Sequence, residues 1–402
     1  MRMNKEKEVV PKLRFPEFQG NDIDFVHGNR LFGSISNKNH NSDLPILAIT
    51  QDQGAVPRDQ IEYNVTVTDK SLSNYKVVEV GDFIISLRSF QGGIEYSRFK
   101  GICSPAYIIL RKRKECISEL YYKYYFKTWK YIQSLNRNLE GIRDGKMISY
   151  SQFSSIKIPY PCLFKEQQKI ADCLSSIDEL IDAESRKLKA LEKYKKGLMQ
   201  KLFPAEGRTL PEWRFPEFRG KREWKIKPLG KICTNYDSRR IPITEKDRVR
   251  GEIPYIGASG VIDYINDFIF DEDLLCVSED GANLVARTYP IAFSISGKTW
   301  VNNHAHVLKF FHKYTQNIVE SYLNMINLQD FLTGMAQPKL NRAKLDIIPI
   351  PLPEEEEQQK IADCLFEIDT MITEQSNKIE QLKAHKKGLM QGLFPSLEEA
   401  DV

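Results

Sequence analysis

EQQKIADCLSSIDELIDAESRKLKALEKYKKGLMQKLFP at 166–204 and EQQKIADCLFEIDTMITEQSNKIEQLKAHKKGLMQGLFP at 357–395 decide the plan of this chain. The first nine residues are identical, and the closing KKGLMQ-x-LFP returns at the same offset of 191. Further upstream, PKLRFPEFQG at 11–20 returns as PEWRFPEFRG at 211–220, an offset of 200. An internal period outranks every other sequence signal. The chain is one plan of about 200 residues used twice.

Within each tail, apolar residues alternate spacings of four and three. The first seam is Ile170, Leu174, Ile177, Ile181, Glu184, Leu188, Leu191, Lys195 and Leu198. The second is Ile361, Leu365, Ile368, Ile372, Gln375, Ile379, Leu382, Lys386 and Leu389. That is the a/d pattern of a coiled coil. Each tail ends at Leu-Phe-Pro, where proline stops a helix. A rise of 1.5 Å per residue makes each helix about 55 Å long.

Charge sets the pairing direction. Residues 166–184 hold six acids and one base, whereas 185–202 hold seven bases and one acid. The second tail repeats the gradient, with five acids in 357–375 and four bases in 376–393. Each helix suits its own dipole. A parallel pair would set like charges together, so an intramolecular antiparallel coiled coil is expected. One globular stretch would then stand at each end of a rod longer than the roughly 34 Å turn of B-DNA.

The 402 residues carry 58 Lys/Arg against 54 Asp/Glu, a net charge of +4, which excludes a polybasic tail protein but not a local basic face. No apolar run reaches the length of a membrane span, and seven cysteines without a C-x-x-C pair argue for reduced thiols in the cytoplasm. Strand-like runs stand at 44–50, 82–87 and 105–111, and again at 253–259, 273–278 and 302–310. A helix is expected after each set, over 117–135 and 316–332. The fold class is therefore α+β: two mixed α/β domains and two long helices in a pseudo-two-fold tandem repeat. The expected division is a first domain at 1–160, its helix at 161–204, a second domain at 205–352, and its helix and tail at 353–402.

Catalytic signatures fail. SGKT at 296–299 resembles the end of a P-loop, but Ala292 stands where the leading glycine belongs. His304 and His306 share a strand face but lack further metal ligands at convincing spacing. The loops SLRSFQGG (86–93) and SEDGANLVAR (278–287) instead concentrate residue types that read base edges and phosphates.

With LRFPEF, WRFPEF, EQQKIADCL, KKGLMQ-x-LFP, GKTWVNNHAHVL (297–308) and QPKLNRAKLDIIPIP (337–351) in hand, the chain resembles the specificity (S) subunit of type I restriction-modification systems. The resemblance covers nearly the whole chain. It implies a non-catalytic subunit with two target recognition domains, each reading one half of an asymmetric bipartite DNA sequence. It also implies two methyltransferase (M) and two restriction (R) subunits as partners, which bring S-adenosylmethionine, ATP and Mg²⁺. No metal or cofactor is expected in this chain. The expected DNA contacts are Gln51, Arg88, Gln91, Arg98, Tyr107, Arg143 and Lys146 in the first domain. In the second they are Ser259, Asn283, Arg287, Lys298, Asn302, Asn303, His304 and Lys339. The apolar seam residues named above are the expected coiled-coil and partner interface. A self-sufficient nuclease or methyltransferase, and a scaffold without DNA, are the competing readings.

Overall fold

In the computed structural model the described residues are 10–41, 43–61, 72–137, 148–334 and 337–395. They form two compact units. The N-terminal unit comprises 1–184 and 378–402, and the other comprises 185–377. Each unit therefore takes in one half of each long helix, Phe164–Leu202 and Glu355–Leu393. No helix among the described residues is long and apolar enough to cross a membrane.

The strands of the N-terminal unit are β1 (Ile23–His27), β2 (Phe32–Ile35), β3 (Leu47–Thr50), β4 (Gly54–Pro57), β5 (Lys76–Val78), β6 (Phe83–Ile85), β7 (Glu95–Tyr96), β8 (Gly101–Cys103), β9 (Ile108–Lys112) and β10 (Lys157–Pro161). An antiparallel sheet in the order β2-β9-β6-β7 forms its centre. The runs Phe83–Ile85 and Ile109–Leu110 are fully buried, so they read as continuous apolar stretches rather than alternating ones. Rings fill the space beneath. Phe32, Phe83, Tyr122, Phe126 and Phe153 make edge-on or tilted contacts with centroids 5.0–6.4 Å apart.

The helix expected over 117–135 is two helices, Glu119–Tyr125 and Trp129–Arg137. The Thr128 hydroxyl donates to the Tyr125 carbonyl and accepts from the Tyr131 amide, so it ends one helix and caps the next. The helix expected over 316–332 likewise stops short, as Lys313–Met325. Just beyond, the Asn327 side chain accepts the Gln329 amide in an Asx turn.

The second unit contains β11 (Lys225–Pro228), β12 (Thr234–Asn235), β13 (Arg250–Gly257), β14 (Gly260–Ile265), β15 (Phe270–Asp271), β16 (Leu274–Ser278), β17 (Ala292–Ile295), β18 (Lys298–Val301), β19 (Ala305–Lys309) and β20 (Pro349–Leu352). Its sheet β12-β19-β16-β17 repeats the order β2-β9-β6-β7. A further sheet, β14-β13-β18-β15, has no counterpart of that size among the described residues of the N-terminal unit. In both units an opening strand pairs antiparallel with the proline-rich exit: β1 with β10, and β11 with β20.

The repeated words form one interlock in each unit. Arg14 donates through Nε and Nη2 to the two oxygens of Glu166, at 2.7 and 2.9 Å. Arg214 does the same to Glu357, at 2.7 and 2.6 Å. Lys169 then meets Glu17 and the Phe15 ring, while Lys360 meets Glu217 and the Phe215 ring. The next residue ties the helix to the exit: Gln167 donates to the Pro161 carbonyl and Gln358 to that of Pro353. R-F-P-E-F and E-Q-Q-K are thus two sides of one joint.

Every seam position is buried or half-buried. In the N-terminal unit Lys386 bonds Asp178 and Lys378 bonds Glu184, each at 2.5 Å. Six residues forward on one helix match eight back on the other, so the helices run antiparallel there. In the second unit Lys195 bonds Asp369. Acid meets base in both, as the charge gradients require.

Burial alone would favour the neutral Asp178 carboxyl, but bonds from Lys386 and Tyr124 hold its pKa below the ordinary value. A depressed native pKa gives stability that is present above about pH 4 and lost as pH falls through the native value. Asp178→Asn is therefore expected to flatten the loss of stability as pH falls below about 4 in urea denaturation. Equal slopes for the variant and the parent would refute this.

Candidate nucleic-acid interface

In the N-terminal unit three expected contact residues come together. Gln51 lies at the tip of the β3–β4 hairpin and donates to the Arg88 carbonyl at 3.4 Å. Arg88 precedes the single turn Ser89–Gly92, which carries Gln91. All three side chains are exposed. Gly92 makes the approach possible, because a Cβ there would lie 2.8 Å from the Gln51 side chain. Lys127 fastens the group from below by donating to the carbonyls of Gln51 and Gly92 and to Glu95.

Tyr107 is half-buried against the small core around Leu47 and Ile109, and burial raises its phenol pKa. Arg58 and Arg88 both act on it electrostatically. Its carbonyl accepts from Lys76, whose own pKa is lowered by burial. Arg58 and Lys76 were not expected at this site; only the return of the chain through β4 and β5 brings them to it. Arg98, two residues past β7, is exposed, and its charge acts on Lys123 and Tyr124. Arg143 and Lys146 lie outside the described residues.

In the second unit a loop cluster forms over Glu279 and Asp280. His304 Nδ1 lies 2.8 Å from Asp280, and the Glu279 amide donates to the His304 carbonyl. Lys339 pairs with Glu279 at 3.3 Å, and its backbone bridges Asp280. Asn303 is exposed beside them. Ser259, at the β13–β14 tip, donates to the Tyr289 hydroxyl. Tyr289 is 47% exposed and was missed, because a lone aromatic in a loop carries no sequence pattern. Lys298 stands apart, exposed, with its ammonium over the Phe268 ring.

Three expected contacts are corrected. Asn283 is buried; its Oδ1 accepts from Thr288 and Tyr289 and its Nδ2 donates to the Tyr289 carbonyl, so it closes a loop. Arg287 has φ of 53° and spends its guanidinium on the carbonyls of Leu284, Leu323 and Ile326. Asn302 is buried and accepts the His304 amide. All three shape the loops from behind. Short polar side chains in a loop look alike in sequence whether they face inward or outward.

His304 and His306 share a strand parity but not an environment. His306 is 1% exposed, with Asp237 at Nδ1 and the Leu340 carbonyl at Nε2. Arg240 completes this layer, bonding Glu279 and the Ala305 carbonyl. Bonds from His306 and the Val307 amide hold the Asp237 carboxyl below its ordinary value, against the opposing effect of burial. The network braces Leu340, and hence Lys339, against the sheet.

An exposed cation such as Lys339 suits phosphate, and an exposed Arg or Gln pair such as Arg88 and Gln91 suits base edges. Lys339→Ala is expected to weaken binding evenly across sequences and to lower the salt slope by about one. Arg88→Ala is expected to relax base specificity, by about 1–3 kcal/mol at one position. Binding isotherms on matched and mismatched duplexes at several salt concentrations separate the two effects. A uniform loss from Arg88→Ala would remove it from base reading.

A family model for the type I restriction modification DNA specificity domain matches residues 19–193 and 221–384. The chain is 25% identical over 355 residues to the type I restriction enzyme MjaVIII specificity subunit of Methanocaldococcus jannaschii, covering 81% of this chain and 80% of that one. It is 34% identical over 152 residues to a Haemophilus influenzae protein named "Putative type I restriction enzyme specificity subunit S.HindORF215P", covering 38% of each. In fold it is similar to the type I restriction-modification S subunit from M. genitalium, with a TM-score of 0.60 at 16% identity over 96% of this chain and 99% of that one.

Proposed function

The chain belongs to the type I restriction-modification DNA specificity family, and from that premise we propose that it reads an asymmetric bipartite DNA target, one half-site per unit. It then directs two methyltransferase and two restriction subunits to that target. One observation carries the reading. The two units share their joint and sheet order but present unlike loops. Gln51, Arg88 and Gln91 gather in one, and Asn303, His304 and Lys339 in the other. A common frame with two different reading edges suits two different half-sites.

The chemistry belongs to the partners in this reading. S-adenosylmethionine, ATP and Mg²⁺ enter with the M and R subunits, in the cytoplasm where the DNA is. Exposed apolar residues on the long helices, such as Leu180, Tyr194 and Phe366, offer the partners a docking surface. Sequencing adenine methylation in cells with and without the gene tests the proposal. Loss of one bipartite motif is expected. An unchanged methylome would overturn it, and methylation by the purified chain alone would favour a self-sufficient enzyme.

A further inference from the structure

Lys127 follows the short helix Glu119–Tyr125 and lies behind the cluster of Gln51, Arg88 and Gln91. Its ammonium has three donors, and all three are spent there: on the Gln51 carbonyl at 3.1 Å, the Gly92 carbonyl at 2.9 Å and Glu95 Oε1 at 2.5 Å. Gln51 belongs to the β3–β4 hairpin and Gly92 to the turn after β6, so one side chain holds two separate loops together. The backbone is shaped for this approach. Gly93 has φ of 82°, and a Cβ there would lie 2.1 Å from the Phe126 carbonyl oxygen.

The Glu95 side chain is 2% exposed, and among the described residues its second oxygen is buried without a hydrogen-bond partner. Burial raises the pKa of Glu95 and lowers that of Lys127, and each charge opposes the shift of the other. A buried ion pair with an oxygen left over adds little net stability. What it does add is a fixed place for an ammonium. The second unit fastens its loop with a neutral amide instead. Asn324, on helix Lys313–Met325, accepts from the Ile291 and Ala292 amides and donates to the Ala292 carbonyl. Those bonds hold one loop, whereas the Lys127 bonds join two. Base contacts discriminate only where their donors are held close to the productive geometry.

We propose that Lys127 is a positioning residue for base recognition: without touching DNA, it sets the spacing of Gln51, Arg88 and Gln91 that discriminates bases, and Glu95 holds it in place. The proposal rests on the DNA-reading function stated above. Adenine methylation is sequenced in cells with the parent gene, no gene, Lys127→Met, or Lys127→Met with Glu95→Met, shortly after induction and before matched sites saturate. The same full chains are unfolded in urea. Lys127→Met leaves a carboxylate buried without its cation and should destabilise the chain, and the double variant should regain most of that stability. Discrimination should stay impaired in both. The ratio of methylation at the target to methylation at sites differing by one base should fall about ten-fold in one half of the target and hold in the other. A residue that only stabilises the fold would restore discrimination together with stability, so a double variant with the parent's ratio overturns the proposal. So does an even loss of methylation at matched and mismatched sites. If deleting the gene removes the motif while the double variant keeps its strictness, the proposal fails and the DNA-reading function stands; if deletion changes nothing, both fail.

Discussion

Arg14→Leu is expected to destabilise the N-terminal unit by about 3–5 kcal/mol. Glu166 is 1% exposed and both of its oxygens accept from this guanidinium. Removing the arginine strands a carboxylate in the interior. Coulomb attraction is not the main loss, because a buried ion pair roughly balances its own desolvation. What is lost is the compensation for a charge that remains. The double variant Arg14→Leu with Glu166→Leu should therefore recover most of the stability of the parent. Arg214→Leu should act similarly in the second unit through Glu357, whose side chain is also 1% exposed. Urea denaturation of the single and double variants decides the matter. A double variant no better than the single would show that the joint works through packing alone.

Phe394→Ala is expected to cost about 3–5 kcal/mol, and in the N-terminal unit, although residue 394 lies at the far end of the chain. The ring is 4% exposed and meets Tyr121 and Tyr125 edge-on or tilted, at 5.0 and 5.7 Å. A backbone bond from the Leu13 amide to the Gly392 carbonyl fixes the approach. The first Leu-Phe-Pro behaves alike in the second unit. Phe203 is buried against Trp224 and Tyr322, and Trp213 bonds to Lys201. Hydrogen exchange locates the damage. Phe394→Ala should release amides of Glu119–Tyr125 and Trp129–Arg137, and Phe203→Ala those of Lys313–Met325. Faster exchange in Lys313–Met325 on changing Phe394 would contradict this assignment.

Both expectations explain why certain words recur. R-F-P-E-F, E-Q-Q-K and L-F-P recur because each is one side of a contact that both units need, and a contact can be kept only by keeping both sides. Nothing requires the loops to recur. SLRSFQGG and SEDGANLVAR occupy the same β6–β7 and β16–β17 connection yet share little, and one of them turns its Asn and Arg inward.

The sequence by itself determined the duplication, the long helices, their antiparallel charge logic and the α+β class. These rest on periodicity and charge order, which are local and repeat visibly. All six expected strand-like runs coincide in part with strands: β3, β6, β9, β13, β16 and β19. Only the tertiary structure decided that each helix serves both units by halves. It alone paired Arg14 with Glu166 across 152 residues, and it moved Asn283, Arg287 and Asn302 from the reading surface to the loop supports. The reason is physical. A hydrophobic period states which face of an element is buried, but a polar side chain's role depends on which distant carbonyl or carboxylate the fold sets beside it.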